Sequence, residues 1–185
     1  MEKSTLVLID IQNIYFMPGE YQLYEPERAA KNAGQLLELY RQMHWPIVHV
    51  RHRFRLQDCD AQAFSMLNNF YREVVPLSDE QVIYKDYPNA FQDTELLEYL
   101  CSIEAKRLVV AGMMTYMCVE TTVRACRLYD YPVTVVGDAC ATKALSWQGK
   151  DISAETVQAV YLAGLAGMFA DIVTTRDWID RVARR

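Results

Sequence analysis

Glycine is scarce in this sequence, with seven in 185 residues. They are scattered, and none forms a GxGxxG behind an apolar run. A pattern of strands and helices is thereby denied the phosphate-cradling turn that a dinucleotide site needs. Paired cysteines are lacking too. The five cysteines, Cys59, Cys101, Cys118, Cys126 and Cys140, form no CxxC, and their number is odd. The three histidines, His44, His49 and His52, stand at no zinc-site spacing from them. A disulfide framework and a structural metal site are both disfavoured, and free thiols in a reducing compartment are expected. No apolar run reaches the roughly 18 residues needed to cross a bilayer. The opening MEKSTLVLID runs into a strand-like stretch holding an aspartate, without a signal-peptide cleavage pattern. The expected location is cytoplasmic, with no membrane partner. Positive charge is also short: 19 Lys and Arg face 24 Asp and Glu, for a net charge of −5. Beyond the terminal RVARR there is no basic stripe, which argues against a nucleic-acid partner.

What is present is an alternation. TLVLID (5–10), PIVHV (46–50), QVIYK (81–85), RLVVAG (107–112), YPVTVVGDA (131–139) and DIVTT (171–175) read as six short strands. Between them, residues 26–43, 94–103, 117–129 and 153–169 read as helices, with a last one in RDWIDRVA. Pro26 suits a first helical turn. Residues 51–80 are less regular, with a short helix in AQAFSMLNNFY. Strands this apolar, separated by helices, imply a mostly parallel sheet covered on both faces. The expected fold is a single α/β domain over 1–185, a three-layer α/β/α sandwich with a six-stranded sheet. Ligands in such folds bind beyond the carboxyl ends of the strands.

Three of those ends carry reactive side chains. Asp10 closes the first strand, Lys85 the third, and Cys118 follows the fourth at the start of a helix. Asp10 has the chemistry of a general base and then a general acid. Lys85 can stabilise a thiolate and keep Asp10 charged. A helix start offers positive potential to a sulfur and N–H groups to an oxyanion. Each residue also has a plainer reading: Cys118 as a small buried side chain, Lys85 as solvated, Asp10 as a cap or turn residue. Spacing alone leaves both open.

The segments LVLIDIQNIYF (6–16), YKDYPNAF (84–91), VVAGMMTYMCVETTVRAC (109–126) and YPVTVVGDACAT (131–142) resemble, in this order, the isochorismatase-like cysteine hydrolase family. That superfamily includes nicotinamidases and N-carbamoylsarcosine amidase. The resemblance implies an isochorismatase-like, Rossmann-like sheet and a catalytic triad of Asp10, Lys85 and Cys118. It implies a cis peptide between Met113 and Met114, with the N–H groups of Met114 and Cys118 as oxyanion hole. It also implies a cysteine-dependent hydrolase of a small-molecule amide or carbamoyl C–N bond through a thioester, and a homo-oligomer, dimer or tetramer. That chemistry expects Cys118 to be a reactive thiol of depressed pKa.

The chain departs from the nicotinamidase pattern in VHVRHRFRLQDCD (48–60). His52 falls where those enzymes carry a metal-binding Asp, and Phe54 near where they carry a His. No metal or other cofactor is therefore expected. His52 reads as a pocket residue or a surface one, Tyr15 as an aromatic against the substrate or a core plug. Trp147, in ALSWQGKDIS, reads as a substrate contact, from its own or a neighbouring subunit, or as interface packing. Gln12 and Asn13 read as holding the Asp10 loop, Arg124 as anchoring its helix, and Asp138 as a brace or cap. Cys126, Cys140 and Cys101 read as packing. The alternatives are a vinyl-ether hydrolase of isochorismate type using Asp10 without Cys118, and a non-catalytic oligomeric binding protein.

Overall fold

A computed structural model describes residues 3–54 and 61–184, the side chains of 61–64 excepted. Cys59 lies outside the described residues. Six strands form one sheet: β1 (Thr5–Ile9), β2 (Ile47–His52), β3 (Gln81–Lys85), β4 (Leu108–Met113), β5 (Val133–Ala141) and, past a small hairpin of β6 (Leu145–Trp147) and β7 (Lys150–Ile152), β8 (Asp171–Val173). Their order is β3-β2-β1-β4-β5-β8, and every neighbouring pair is parallel. The helices are α1 (Pro26–Gln42), α2 (Ala61–Asn68), α3 (Leu96–Ser102), α4 (Glu120–Cys126), α5 (Ala154–Leu165) and α6 (Thr175–Ala183). None of the described helices is long and apolar enough to cross a membrane.

Period-two alternation along the strands builds two cores. Leu6, Leu8, Val109 and Ala111 face α1 and α6, where Ala33, Leu36, Tyr40 and Trp178 are buried with them. Val7, Ile9, Val48, Val110 and Val135 face α3 and α4, meeting Leu96, Leu100, Val119 and Val123. Both faces are covered, so the strands need no polar side, as their unbroken apolar runs predict.

The helix ends follow their side chains. Pro26 opens α1. The Ser153 hydroxyl accepts from the Thr156 N–H at the start of α5. Thr174 and Asp177 form a reciprocal capping box on α6. Asp138, within β5, accepts from the N–H and hydroxyl of Thr175 at 2.7 and 2.8 Å, so it holds the first residue of α6, while the N-cap of that helix is Thr174. Arg124 does anchor its helix, pairing with Glu120 one turn back and lying 4.3 Å over the Phe169 ring. Cys126 and Cys140 are buried as expected, but Cys101 is exposed on the outer side of α3. Its neighbour Leu100 takes the buried position there.

On the β2 side, Glu80 accepts from Arg41 through both Nε and Nη2 (2.7 and 2.9 Å), from the Leu77 N–H (2.9 Å), and bonds His49 Nε2 (2.9 Å). Burial alone would raise its pKa; Arg41, Leu77 and His49 outweigh burial and hold it at about 2, against an ordinary 4.5. A carboxylate whose folded pKa is depressed stabilises the fold above its unfolded pKa and loses that contribution as pH falls toward the folded value. Glu80→Gln is therefore expected to cost about 1–2 kcal/mol at neutral pH, discounted for solvent screening. The deficit should shrink between pH 4.5 and about 2, read by urea melts across that range.

The strand order turns back on itself between β1 and β4, and the crevice of the sheet opens there. Gly112 makes that junction possible. It pairs with Ile9 in register, and a Cβ on it would lie 2.1 Å from the Ile9 carbonyl oxygen. Its φ of +143° also belongs to the region that glycine tolerates.

Candidate active site

Three strand ends converge at this crevice. Asp10 follows β1 with φ +51°, a left-handed conformation in which Asp is one of the more tolerant residues. Its N–H donates to the Val50 carbonyl at 3.0 Å, and its side chain is fully buried. Lys85, the last residue of β3, is equally buried and stands opposite His52 in register. Its side chain passes the end of β2 to place Nζ 2.7 Å from Asp10 Oδ2. Two further acceptors receive Nζ: the Tyr87 carbonyl at 3.1 Å and His52 Nδ1 at 3.2 Å.

Cys118 comes from the other side of the junction. The peptide between Met113 and Met114 is cis. A π-helical turn over Thr115–Val119 follows and runs into α4. The Thr115 hydroxyl fastens this turn to the sheet by donating to the Ala141 carbonyl at 3.1 Å. Cys118 thus sits inside a wide turn that precedes α4, where the sequence suggested the start of the helix itself. It is 4 % exposed and stands beside Asp10 and Lys85, whose charges act on its sulfur.

The electrostatics run against a preformed thiolate. Burial first, then the Asp10 charge, push the Cys118 thiol up to about 12, with Lys85 opposing them. The expectation of a depressed pKa is corrected here. The main cause is burial of the sulfur, and in addition it shares its ammonium with a carboxylate that already holds it. Burial works against the Lys85 charge as well, but Asp10 and Cys118 raise its pKa above the ordinary value. The resting cluster is a carboxylate, an ammonium and a thiol.

Only Cys118 of these three lines the cavity in front of the site, a space of about 470 Å³. Its walls are largely aromatic and apolar: Tyr15, Tyr21, Phe54, Pro88, Met114, Tyr116 and Met117, with His52, Glu20, Asp86 and Lys143 as polar points. Phe54 stands at the centre of an edge-to-face group with Tyr15 (5.8 Å), Tyr21 (5.7 Å) and His52 (4.7 Å). Tyr15 is both of its readings at once, 1 % exposed yet lining the cavity. Burial, then Asp10 and Cys118, raise its pKa well above 10.0, so it stands as a neutral phenol. A second cavity, about 370 Å³ between α1, β5 and α5, includes none of Asp10, Lys85 and Cys118.

His52 takes its pocket reading. Trp147 does not: it stands 70 % exposed on β6, at the turn of the small hairpin, and lines no part of this cavity in its own chain. Positive φ at Gln148 and Gly149 closes that hairpin tightly, which carries the indole outward. Gln12 and Asn13 hold more than the Asp10 loop. Gln12, fully buried, accepts from the His52 N–H (2.9 Å) and donates to the carbonyls of His52 (3.0 Å) and Asn68 (2.7 Å). Asn13 donates to the Met66 carbonyl at 2.8 Å. Sequence reasoning missed Tyr21, Met117 and Lys143 as lining residues and the Tyr87 carbonyl as a partner of Lys85. Only the closeness of Tyr87 to Lys85 in the chain hinted at the last, because a backbone oxygen has no letter.

Known proteins share both the sequence and the fold of this chain. The family model for the isochorismatase domain matches residues 4–177. The uncharacterized isochorismatase family protein YddQ of Bacillus subtilis is 38% identical over 180 residues, covering 95% of this chain and 98% of its own. The secreted isochorismatase effector of Verticillium dahliae is 32% identical over 95% of this chain and 90% of its own. The crystal structure of an isochorismatase from Pseudomonas putida superposes with a TM-score of 0.87 at 34% identity, over 95% of this chain and 89% of that one.

Proposed function

The chain belongs to the isochorismatase family, a family of hydrolases, and within it we propose that it is a cysteine-dependent hydrolase of a small-molecule amide or carbamoyl C–N bond. The observation that carries the reading is the placement of Cys118, beside the buried Asp10–Lys85 pair and facing the cavity. An Asp10–Lys85 pair without a nucleophile would need no thiol at that point.

The protonation states set the order of events. Asp10 takes the thiol proton as the sulfur attacks the carbonyl carbon, so the thiolate forms only during attack. The oxyanion forms against the N–H groups of Met114 and Cys118. Collapse breaks the C–N bond, and Asp10 returns the proton to the departing ammonia or amine. A water then gives a proton to Asp10 and attacks the thioester, releasing the acid and restoring the thiol. Lys85 stays an ammonium throughout and holds the carboxylate in place.

Turnover is tested with a panel of primary amides and carbamoyl compounds, with coupled ammonia detection. It should be accompanied by an acyl adduct on the Cys118 peptide that hydroxylamine removes. Ammonia release with no such adduct and no dependence on Cys118 would overturn the thioester route. A second measurement needs no substrate. Alkylation of Cys118 by iodoacetamide should be slow at pH 7 and climb about tenfold per pH unit to pH 9, as for a thiol of pKa about 12. Asp10→Asn should speed it, because Asp10 raises that pKa, and Lys85→Met should slow it further.

A second reading is a vinyl-ether hydrolase in which Asp10 supplies the proton and Cys118 is a bystander. The names of the Verticillium and Pseudomonas putida relatives favour it, and so does a thiol that rests protonated. We also propose a homo-oligomer. On and near α5, Val160 is 61 % exposed and Met168 74 %, and on the small hairpin Trp147 is 70 % exposed, apolar surface suited to a second copy of the chain.

A further inference from the structure

We infer that His52 is held by Lys85 as the Nε2–H tautomer and presents that proton to the substrate, so that the preferred substrate carries a second hydrogen-bond acceptor away from the scissile carbonyl. The inference rests on the amidohydrolase reading above and narrows its substrate class.

An ammonium has three protons and no lone pair. Lys85 Nζ has three acceptors around it: Asp10 Oδ2 at 2.7 Å, the Tyr87 carbonyl at 3.1 Å and His52 Nδ1 at 3.2 Å. Tyr87 and Asp10 offer oxygens, so the remaining contact requires a lone pair on Nδ1. A neutral imidazole with its lone pair on Nδ1 carries its proton on Nε2. An imidazolium would set an N–H against the ammonium. Burial and the Lys85 charge lower the His52 pKa, in the same direction.

The ring is also fixed in place. Gln12 grips the His52 backbone on both its N–H and its carbonyl, and Phe54 packs against the imidazole at 4.7 Å. Among the described residues none takes a hydrogen bond from Nε2, while His52 lines the same cavity as Cys118. A rigid donor beside aromatic walls rewards a ligand acceptor and penalises a ligand that brings only hydrocarbon there. A plain spacer for Lys85 would not discriminate between the two.

Levulinamide and isocaproamide form a matched pair, a ketone oxygen in one replacing a methyl group in the other. Acetoacetamide and isovaleramide repeat the comparison one carbon shorter. The parent protein is expected to favour the keto-amide of a pair by about tenfold or more in kcat/KM. His52→Gln, whose amide can still accept from Lys85 and donate to a ligand, should keep most of that ratio. His52→Phe should bring it near one, whatever its absolute rate. Imidazole-nitrogen NMR of isotope-labelled protein reads the tautomer directly, with His52→Gln identifying the resonance. It should show a neutral ring protonated on Nε2 at pH 7. In Cys118→Ala, levulinamide should shift that resonance and isocaproamide should not. A proton on Nδ1, an imidazolium at pH 7, or an undiminished ratio in His52→Phe would overturn the inference. Equal turnover of all four amides overturns it and leaves the amidohydrolase reading standing; turnover of none overturns both.

Discussion

Replacing Cys118 by alanine is expected to lower amide hydrolysis by about ten-thousandfold or more, with the fold intact. In the proposed route the sulfur forms the bond that every later step depends on, and removing a nucleophile of this kind leaves only the background of binding and oxyanion stabilisation. The side chain is small and buried, 4 % exposed, so its loss should cost stability only about 1–2 kcal/mol. Asp10→Asn should match the loss of activity, because among the described residues Asp10 is the carboxylate beside the thiol at pKa about 12. Steady-state kinetics of the two variants, with circular dichroism as the fold control, separate the readings. Retention of the parent rate by Cys118→Ala, with loss in Asp10→Asn, would sink the thioester mechanism and select the vinyl-ether one. Full activity in both would remove the site from the reaction altogether.

The Asp10–Lys85 pair should dominate stability as well as rate. Both side chains are fully buried and 2.7 Å apart, and breaking a pair in such a position leaves an uncompensated charge in low dielectric. Lys85→Met is expected to cost about 3–5 kcal/mol, a fall in Tm of roughly 10–15 °C for a domain of this size. Asp10→Asn should cost a similar amount by stranding the ammonium. The double variant removes both charges and should recover to within about 1–2 kcal/mol of the parent, with no recovery of activity. Thermal and urea melts of the four proteins give the coupling energy. Two near-neutral single variants would mean that the pair is not formed in solution.

The sequence carried the fold almost whole, because its information is redundant there. TLVLI, LVVAGM and VTVVG are buried and apolar apart from Thr5 and Thr134, and no single residue decides the sheet. The strand-to-helix alternation then fixes which ends gather, so Asp10, Lys85 and Cys118 were findable as three strand ends. The hairpin at 145–152 was not: its pairing rests on positive φ at Gln148 and Gly149, which three residues on either side do not announce. The reading of Trp147 as a contact within its own chain's cavity went with it. The protonation of Cys118 was also out of reach. A thiol near a lysine reads as activated, but the result depends first on how deeply the sulfur is buried and then on whether the lysine is already committed to a carboxylate at 2.7 Å, neither of which leaves a trace in spacing. Gln12 reads as a loop residue, and its grip on His52 spans 40 positions.

One property of the resting cluster reaches beyond the residues themselves. Carboxylate, ammonium and thiol sum to zero charge. When the thiol proton moves to Asp10 and the carbonyl oxygen takes up the negative charge, the sum is still zero. It stays zero as the neutral amine departs, through the thioester and when water attacks it. Every step relocates a proton or an electron pair inside a closed ledger of charge, and at no stage must an ion enter or leave the buried site. The chemistry proceeds there without counter-ions or bulk water having to follow it, so its rate should respond little to ionic strength, in contrast with a site that must draw in a charged partner.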